Sequence, residues 1–277
     1  MSELTDFSTL AVTLEPWRQQ IVFIGGWAYR LYRYEPRAYK PDHAAIFTQD
    51  ADVAYARQEA LEGDIKTALE GAGFTEQPNF AGGFKPPAMR YTLGGQSNGF
   101  YAEFLTPLTG SPMRRNKVTK QFEPDATEAN AGVVAQKLRH LEVLLHEPWA
   151  VTIPPEDSGM GEPVVGLRIP NPVSFVVQKL LIRDDRAPRK RAQDVLYVHD
   201  CLYMFSGAIE SDLVPIWKSL EAALTEAQRK SVRTGITELF TEVNDVIREA
   251  VTIPVDRKLE PDDILKLCQL AFDELLD

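Results

Sequence analysis

A four-residue apolar run, Ile21-Val22-Phe23-Ile24, passes directly into Gly25-Gly26, and a second apolar segment downstream carries Asp50 and Asp52 one residue apart. This arrangement constrains the chain more than any other feature. The run reads as a buried strand and the glycine pair as the turn that opens a helix. In a strand, side chains at i and i+2 point to one face. Asp50 and Asp52 therefore reach a common point, whose natural occupant is a divalent cation. A third acid, Glu103, lies in another short apolar run, Phe100-Tyr101-Ala102-Glu103-Phe104-Leu105.

The pattern extends to the rest of the chain. Strands are predicted over 46–53, 89–93 and 99–105, with the last two joined as an antiparallel hairpin around Gly94-Gly95-Gln96-Ser97-Asn98. Helices are predicted over 26–34, 57–71 and 131–146. The Gly- and Pro-rich run 77–88 reads as a loop, and residues 110–128 as a polar, irregular stretch. Two further strands are predicted over 149–153 and 163–169. Beyond Pro170-Asn171-Pro172 the periodicity is helical throughout, over 172–184, 188–206, 211–223, 225–250 and 261–275. The fold class is α+β, divided into an α/β part over 1–170 and a helical part over 171–277.

Composition narrows the partners. The formal net charge of −10 gives no overall field that attracts nucleic acid, so any such contact is local. Two basic clusters offer one: Arg114, Arg115, Lys117 and Lys120, and then Arg183, Arg186, Arg189, Lys190 and Arg191. Cys201 and Cys268 stand far apart, and His43, His140, His146 and His199 are scattered, so no zinc-ligand spacing arises. No apolar stretch approaches the ~18 residues of a membrane helix, and no secretory leader is visible, which predicts a cytoplasmic protein without membrane contact.

Asp50, Asp52 and Glu103 suit two Mg²⁺ (or Mn²⁺) ions, which take oxygen ligands. Gly25-Gly26 offers backbone N–H groups at a helix N-terminus to phosphates, or serves close packing alone. Trp27 reads as a packing residue. Lys179 lies in a helix that starts at Pro172, a favoured first-turn residue, and could reach a phosphate. Lys190 and Asp194, four apart on the next helix, read as site residues or as a surface ion pair.

These residues resemble the nucleotidyltransferase superfamily with the DNA polymerase beta-like fold. The shared pattern is an apolar strand, Gly25-Gly26, Asp50-x-Asp52 and the distant acid Glu103. Within it the chain looks most like the nucleotidyltransferase toxin of type IV abortive-infection toxin–antitoxin pairs. There the likeness adds Thr48, two residues before the first Asp, Pro172 with Lys179, and Lys190 with Asp194. It departs in Trp27, where Ser is usual, and in Glu103, where Asp is more common. The resemblance implies a mixed sheet with flanking helices, followed by a C-terminal helical bundle. It also implies an NTP substrate, nucleotide contacts at Gly25, Gly26, Thr48, Lys179, Lys190 and Asp194, and metal ligation by Asp50, Asp52 and Glu103. An RNA or tRNA acceptor and an antitoxin protein partner are implied in the same way. A small-molecule acceptor, a protein acceptor and a catalytically silent nucleotide-binding module stay open.

Overall fold

The computed structural model describes residues 3–57, 59–79, 88–95, 99–115 and 120–276. The loop glycines Gly82-Gly83, the turn residues Gln96-Ser97-Asn98 and Lys117 lie outside the described residues. The chain divides into two compact units, one of residues 1–28 and 47–169, the other of residues 29–46 and 170–277.

The first unit is built on a seven-stranded mixed sheet. Its strands are β1 (Ile21–Ile24), β2 (Asp50–Tyr55), β3 (Phe74–Asn79), β4 (Ala88–Leu93) and β5 (Tyr101–Pro107). The shorter hairpin β6 (Met113–Arg115) and β7 (Phe122–Pro124) stands apart, and β8 (Thr127–Asn130) and β9 (Val133–Leu138) join the main sheet. A separate antiparallel pair, β10 (Trp149–Ile153) and β11 (Val164–Ile169), completes the strands. The main order is β1-β2-β5-β4-β3, with β9 beside the second half of β5. The β2/β5 and β5/β9 pairs are parallel and the rest antiparallel. Helices α1 (Glu3–Thr13), α2 (Gly25–Leu31), α3 (Ile65–Gly71) and α4 (Pro155–Ser158) accompany the strands, and α2 runs on past the end of the first segment.

Alternation decides which face of the sheet does what. Ala51, Val53 and Tyr55 of β2 and Ala102 and Phe104 of β5 are buried on one face, where Phe104 meets Tyr91 edge to face. On the other face, Val22, Ala54 and Leu105 pack under Leu141 and Leu144 of a 3-10 helix. That apolar face becomes acidic toward the start of β2 and β5, at Asp52, Asp50 and Glu103, which are only partly buried.

Several expectations shift. Strand β2 begins at Asp50 rather than at residue 46. The helix expected over 57–71 is α3 alone, which starts at Ile65 because Asp64 caps it, accepting from the Thr67 N–H at 2.9 Å. The preceding segment is held as a loop from outside, with Trp17 Nε1 donating to the Glu62 carbonyl at 2.5 Å. The helix expected over 131–146 is instead β9 followed by the 3-10 helix Leu141–Leu145. Val133 and Ala135 are buried while Val134 and Gln136 are less so, a period of two that the sheet enforces. Pro107 ends β5 as its last paired residue.

The second unit is helical: α5 (Pro172–Leu181), α6 (Pro188–Met204), α7 (Val214–Ala223), α8 (Glu226–Phe240), α9 (Asp245–Ala250) and α10 (Pro261–Leu276). The last three pack together, with Phe240 against Phe272 at 5.4 Å between ring centroids. Three of the six starts are capped by side chains: Asn171 accepts from Ser174 N–H, Thr225 forms a capping box with Gln228, and Asn244 accepts from Ile247 N–H. Among the described residues, no helix is long and apolar enough to cross a membrane.

Candidate active site

Three carboxylates are brought to one end of one sheet face by register. In β2, Asp50 and Asp52 alternate with buried Ala51 and Val53, so both point to the open face. In the parallel neighbour β5, Glu103 lies directly opposite Asp52, and Tyr101 opposite Asp50. Directly opposed residues share a face. On the other side of β2, Asp52 lies opposite Ile24, the residue before the glycine turn.

The glycine pair is required by this crowding. Gly25 takes φ +64°, a left-handed conformation that favours glycine. A Cβ there would stand 2.5 Å from Asp52 Oδ2. A Cβ on Gly26 would stand 2.9 Å from the Thr48 methyl and 3.0 Å from its Oγ1. The turn thus lets the backbone at the start of α2 lie against both Asp52 and Thr48. Thr48 in turn donates from Oγ1 to Asp50 Oδ1, which fixes that carboxylate. Trp27 is fully buried, stacked on Phe7 at 4.1 Å and edge-on to Phe100, so it is a packing residue.

The field of the three acids is felt at Tyr101. Burial, together with Asp50, Glu103 and Asp52, pushes its phenol up to about 12, while Arg90 opposes the shift. Arg90 of β4 lies opposite Glu103 and places its guanidinium carbon 5.6 Å from the centre of the Tyr101 ring. Neither residue was anticipated. Tyr101 carried a signal, standing two before Glu103 and hence on its face. Arg90 lies in the hairpin that the sequence predicts, but the register that sets it opposite Glu103 is not specified by the turn residues.

A nucleotidyltransferase family profile matches residues 10–220, a span that includes β1, the glycine turn, all three carboxylates and α6. The chain belongs to that nucleotidyltransferase family. No curated protein matches the chain.

For a family member the donor set is apt: carboxylate oxygens are hard ligands of the kind Mg²⁺ and Mn²⁺ take, and register puts all three on one face. Asp52 Oδ2 also lies over the glycine turn, where only a residue without a Cβ fits. The side chains do not form a closed cage: no group of three acids, histidines or cysteines is gathered around one point among the described residues.

The remaining expected residues lie in the second unit. Lys179 was expected to face a phosphate; it is 6% exposed and its ammonium sits 2.9 Å from Asp194 Oδ1. It also lies over the rings of Phe175 and Tyr197, at 5.3 and 5.5 Å. Arg186 takes the same carboxylate, with Nε 2.7 Å from Asp194 Oδ2. Burial alone would raise the Asp194 pKa, but Lys179 and Arg186 hold it below the usual carboxylate range. The surface pair read between Lys190 and Asp194 is thus corrected. Lys190 is exposed and donates to Gln193 Oε1 at 3.3 Å, because the buried Lys179 is the better partner for a buried carboxylate.

Proposed function

We propose that the chain transfers a nucleoside monophosphate from an NTP to a hydroxyl acceptor and releases pyrophosphate, with Asp50, Asp52 and Glu103 as the catalytic acids. One observation carries this reading: parallel register sets Glu103 opposite Asp52 on the face where Asp50 also points. Family membership supports a transferase and an NTP substrate.

Bound Mg²⁺ or Mn²⁺ would neutralise charge on the phosphates and lower the pKa of the attacking hydroxyl. Asp50 and Asp52 are the residues that would hold both ions, and Glu103 the one on the acceptor side. Thr48 keeps Asp50 oriented through its hydroxyl. The acceptor oxygen attacks the α-phosphorus, forming one P–O bond. The bond from that phosphorus to the α,β-bridging oxygen breaks, and pyrophosphate leaves with the electron pair. The hydroxyl proton passes to Glu103 or to solvent beside it. Gly26 is assigned to the phosphates through its backbone, since its face against Thr48 leaves no room for a side chain. The proposal rests on first-unit residues. Lys179 and Asp194 are read as the pair that joins α5 to α6.

For the acceptor, RNA is put first, on the resemblance to toxin nucleotidyltransferases, and with it an antitoxin partner. The exposed Arg115, in β6 beyond β5, supplies a local positive charge. The test is label transfer from each of four α-labelled NTPs, with Mg²⁺, to total RNA and to lysate protein. Wild type and Asp52→Asn run side by side. The reading predicts an RNA band in the wild type that the variant lacks. Equal labelling by both forms overturns the acid assignment, and a labelled protein overturns the RNA acceptor.

A further inference from the structure

The register that groups the acids continues beyond them. Arg90 lies opposite Glu103, and Gln77 of β3 lies opposite Arg90. One row across four strands therefore reads Asp52, Glu103, Arg90, Gln77 on a single face. A cation stands one strand spacing, about 4.8 Å, beyond the acid assigned to the acceptor. Arg90 is held in place: its Nη2 donates to Gln77 Oε1 at 3.2 Å and its guanidinium lies over the Tyr101 ring. Its Nε is buried and has no hydrogen-bond acceptor among the described residues. A guanidinium carries a rigid fork of N–H donors that matches phosphate oxygens.

We propose that Arg90, fixed by Tyr101 and Gln77, is a positioning residue that binds a phosphate beside the reacting hydroxyl, so that the acceptor is a phosphate-bearing hydroxyl compound and not a polycation. The inference rests on the reading of the acids as a transfer centre. Glu103 is the acid nearest β4, so an acceptor activated there extends toward Arg90. A polyamine acceptor would meet like charge at that point, which opposes its binding. The phosphate can belong to the end of a nucleic acid or to a free nucleotide.

The experiment measures binding of a 5′-fluorescein ribotrinucleotide with a free 3′ hydroxyl, in Mg²⁺ and a saturating non-hydrolysable ATP analogue. Wild type, Arg90→Gln and Arg90→Lys are compared, with AMP, adenosine and neomycin as competitors. The analogue's own Kd is measured separately. The proposal expects Arg90→Gln to weaken the trinucleotide by about tenfold or more while the ATP analogue changes by less than about twofold. A residue that only supports the fold would weaken both. AMP should compete and adenosine should not. AMP as strong as the trinucleotide would indicate a free nucleotide, and a tighter trinucleotide a nucleic-acid end. Unchanged trinucleotide affinity in Arg90→Gln, loss of the ATP analogue there, or neomycin binding tighter than the trinucleotide would each overturn the proposal. Should Arg90→Gln fail to fold, Arg90→Lys decides, since it keeps the charge without the fork: about threefold weakening supports the proposal and no change overturns it. A wild type that binds the trinucleotide but not the ATP analogue would sink the transfer-centre reading and leave Arg90 as a phosphate-binding residue.

Discussion

Asp52 and Gly25 constrain each other. The glycine's φ of +64° and the 2.5 Å approach of an added Cβ to Asp52 Oδ2 leave no accommodating alanine. Gly25→Ala is expected to cost about 1–3 kcal/mol through the strained backbone alone, and to displace the carboxylate. Thermal melting beside label transfer checks this; a variant as stable and as active as wild type would show that the turn does not position Asp52. The Lys179–Asp194 pair gives a second prediction, because each member is 6% exposed. Lys179→Ala leaves a buried carboxylate with Arg186 only, and is expected to lower stability by about 3–5 kcal/mol. Lys179→Met with Asp194→Leu removes both charges and should recover most of that loss. Denaturant unfolding of the two variants decides between this structural role and a surface role, for which Lys179→Ala would be nearly silent.

At the level of elements, the sequence was most readable where pattern and burial coincide. Ile21–Ile24 is buried at all four positions, and its end at Gly25 is marked by chemistry that only glycine meets. Helix α5 was visible in Pro172, and the structure adds Asn171 as its cap. The acids were legible as a set because two share a strand and the third lies in an apolar run. Their pairing was not, since the parallel register of β2 and β5 joins segments about 50 residues apart and depends on tertiary packing. The error at 131–146 has the same origin. Val133 to Leu138 supports either period, and pairing with β5 and β8 selects the strand. An Ala135→Asp substitution, at a fully buried position on β9, would place a charge in the core. It should lower stability by several kcal/mol, about 2–5, whereas a surface-helix position would tolerate it within ~0.5. Urea unfolding measures which.

For the whole molecule, the net charge of −10 gives no general field that attracts a nucleic acid, so the proposed acceptor contact is a local one at Arg90. Charge also sets the acid limit of stability. Asp194 and Asp200 both have lowered pKa values in the fold: burial opposes ionisation, but Lys179 and Arg186 hold the first charged, and His199 and Arg257 the second. A depressed carboxylate pKa contributes stability that is present above the unfolded value of about 3.9 and is lost as pH falls through the folded value. Unfolding free energy should therefore decline below about pH 4, and Asp194→Asn should flatten that decline while lowering stability at neutral pH. An unaltered acid limb in the variant would remove Asp194 from this role.

The claim that Asp50, Asp52 and Glu103 form one metal-binding centre is tested most directly by counting ions. Mn²⁺ would be titrated into the protein with a non-hydrolysable NTP and followed by electron paramagnetic resonance, for wild type, Asp52→Asn and Glu103→Gln. The account predicts two nucleotide-dependent Mn²⁺ ions in the wild type, loss of both in Asp52→Asn, and selective loss of one in Glu103→Gln. Equal Mn²⁺ binding by all three proteins would contradict it.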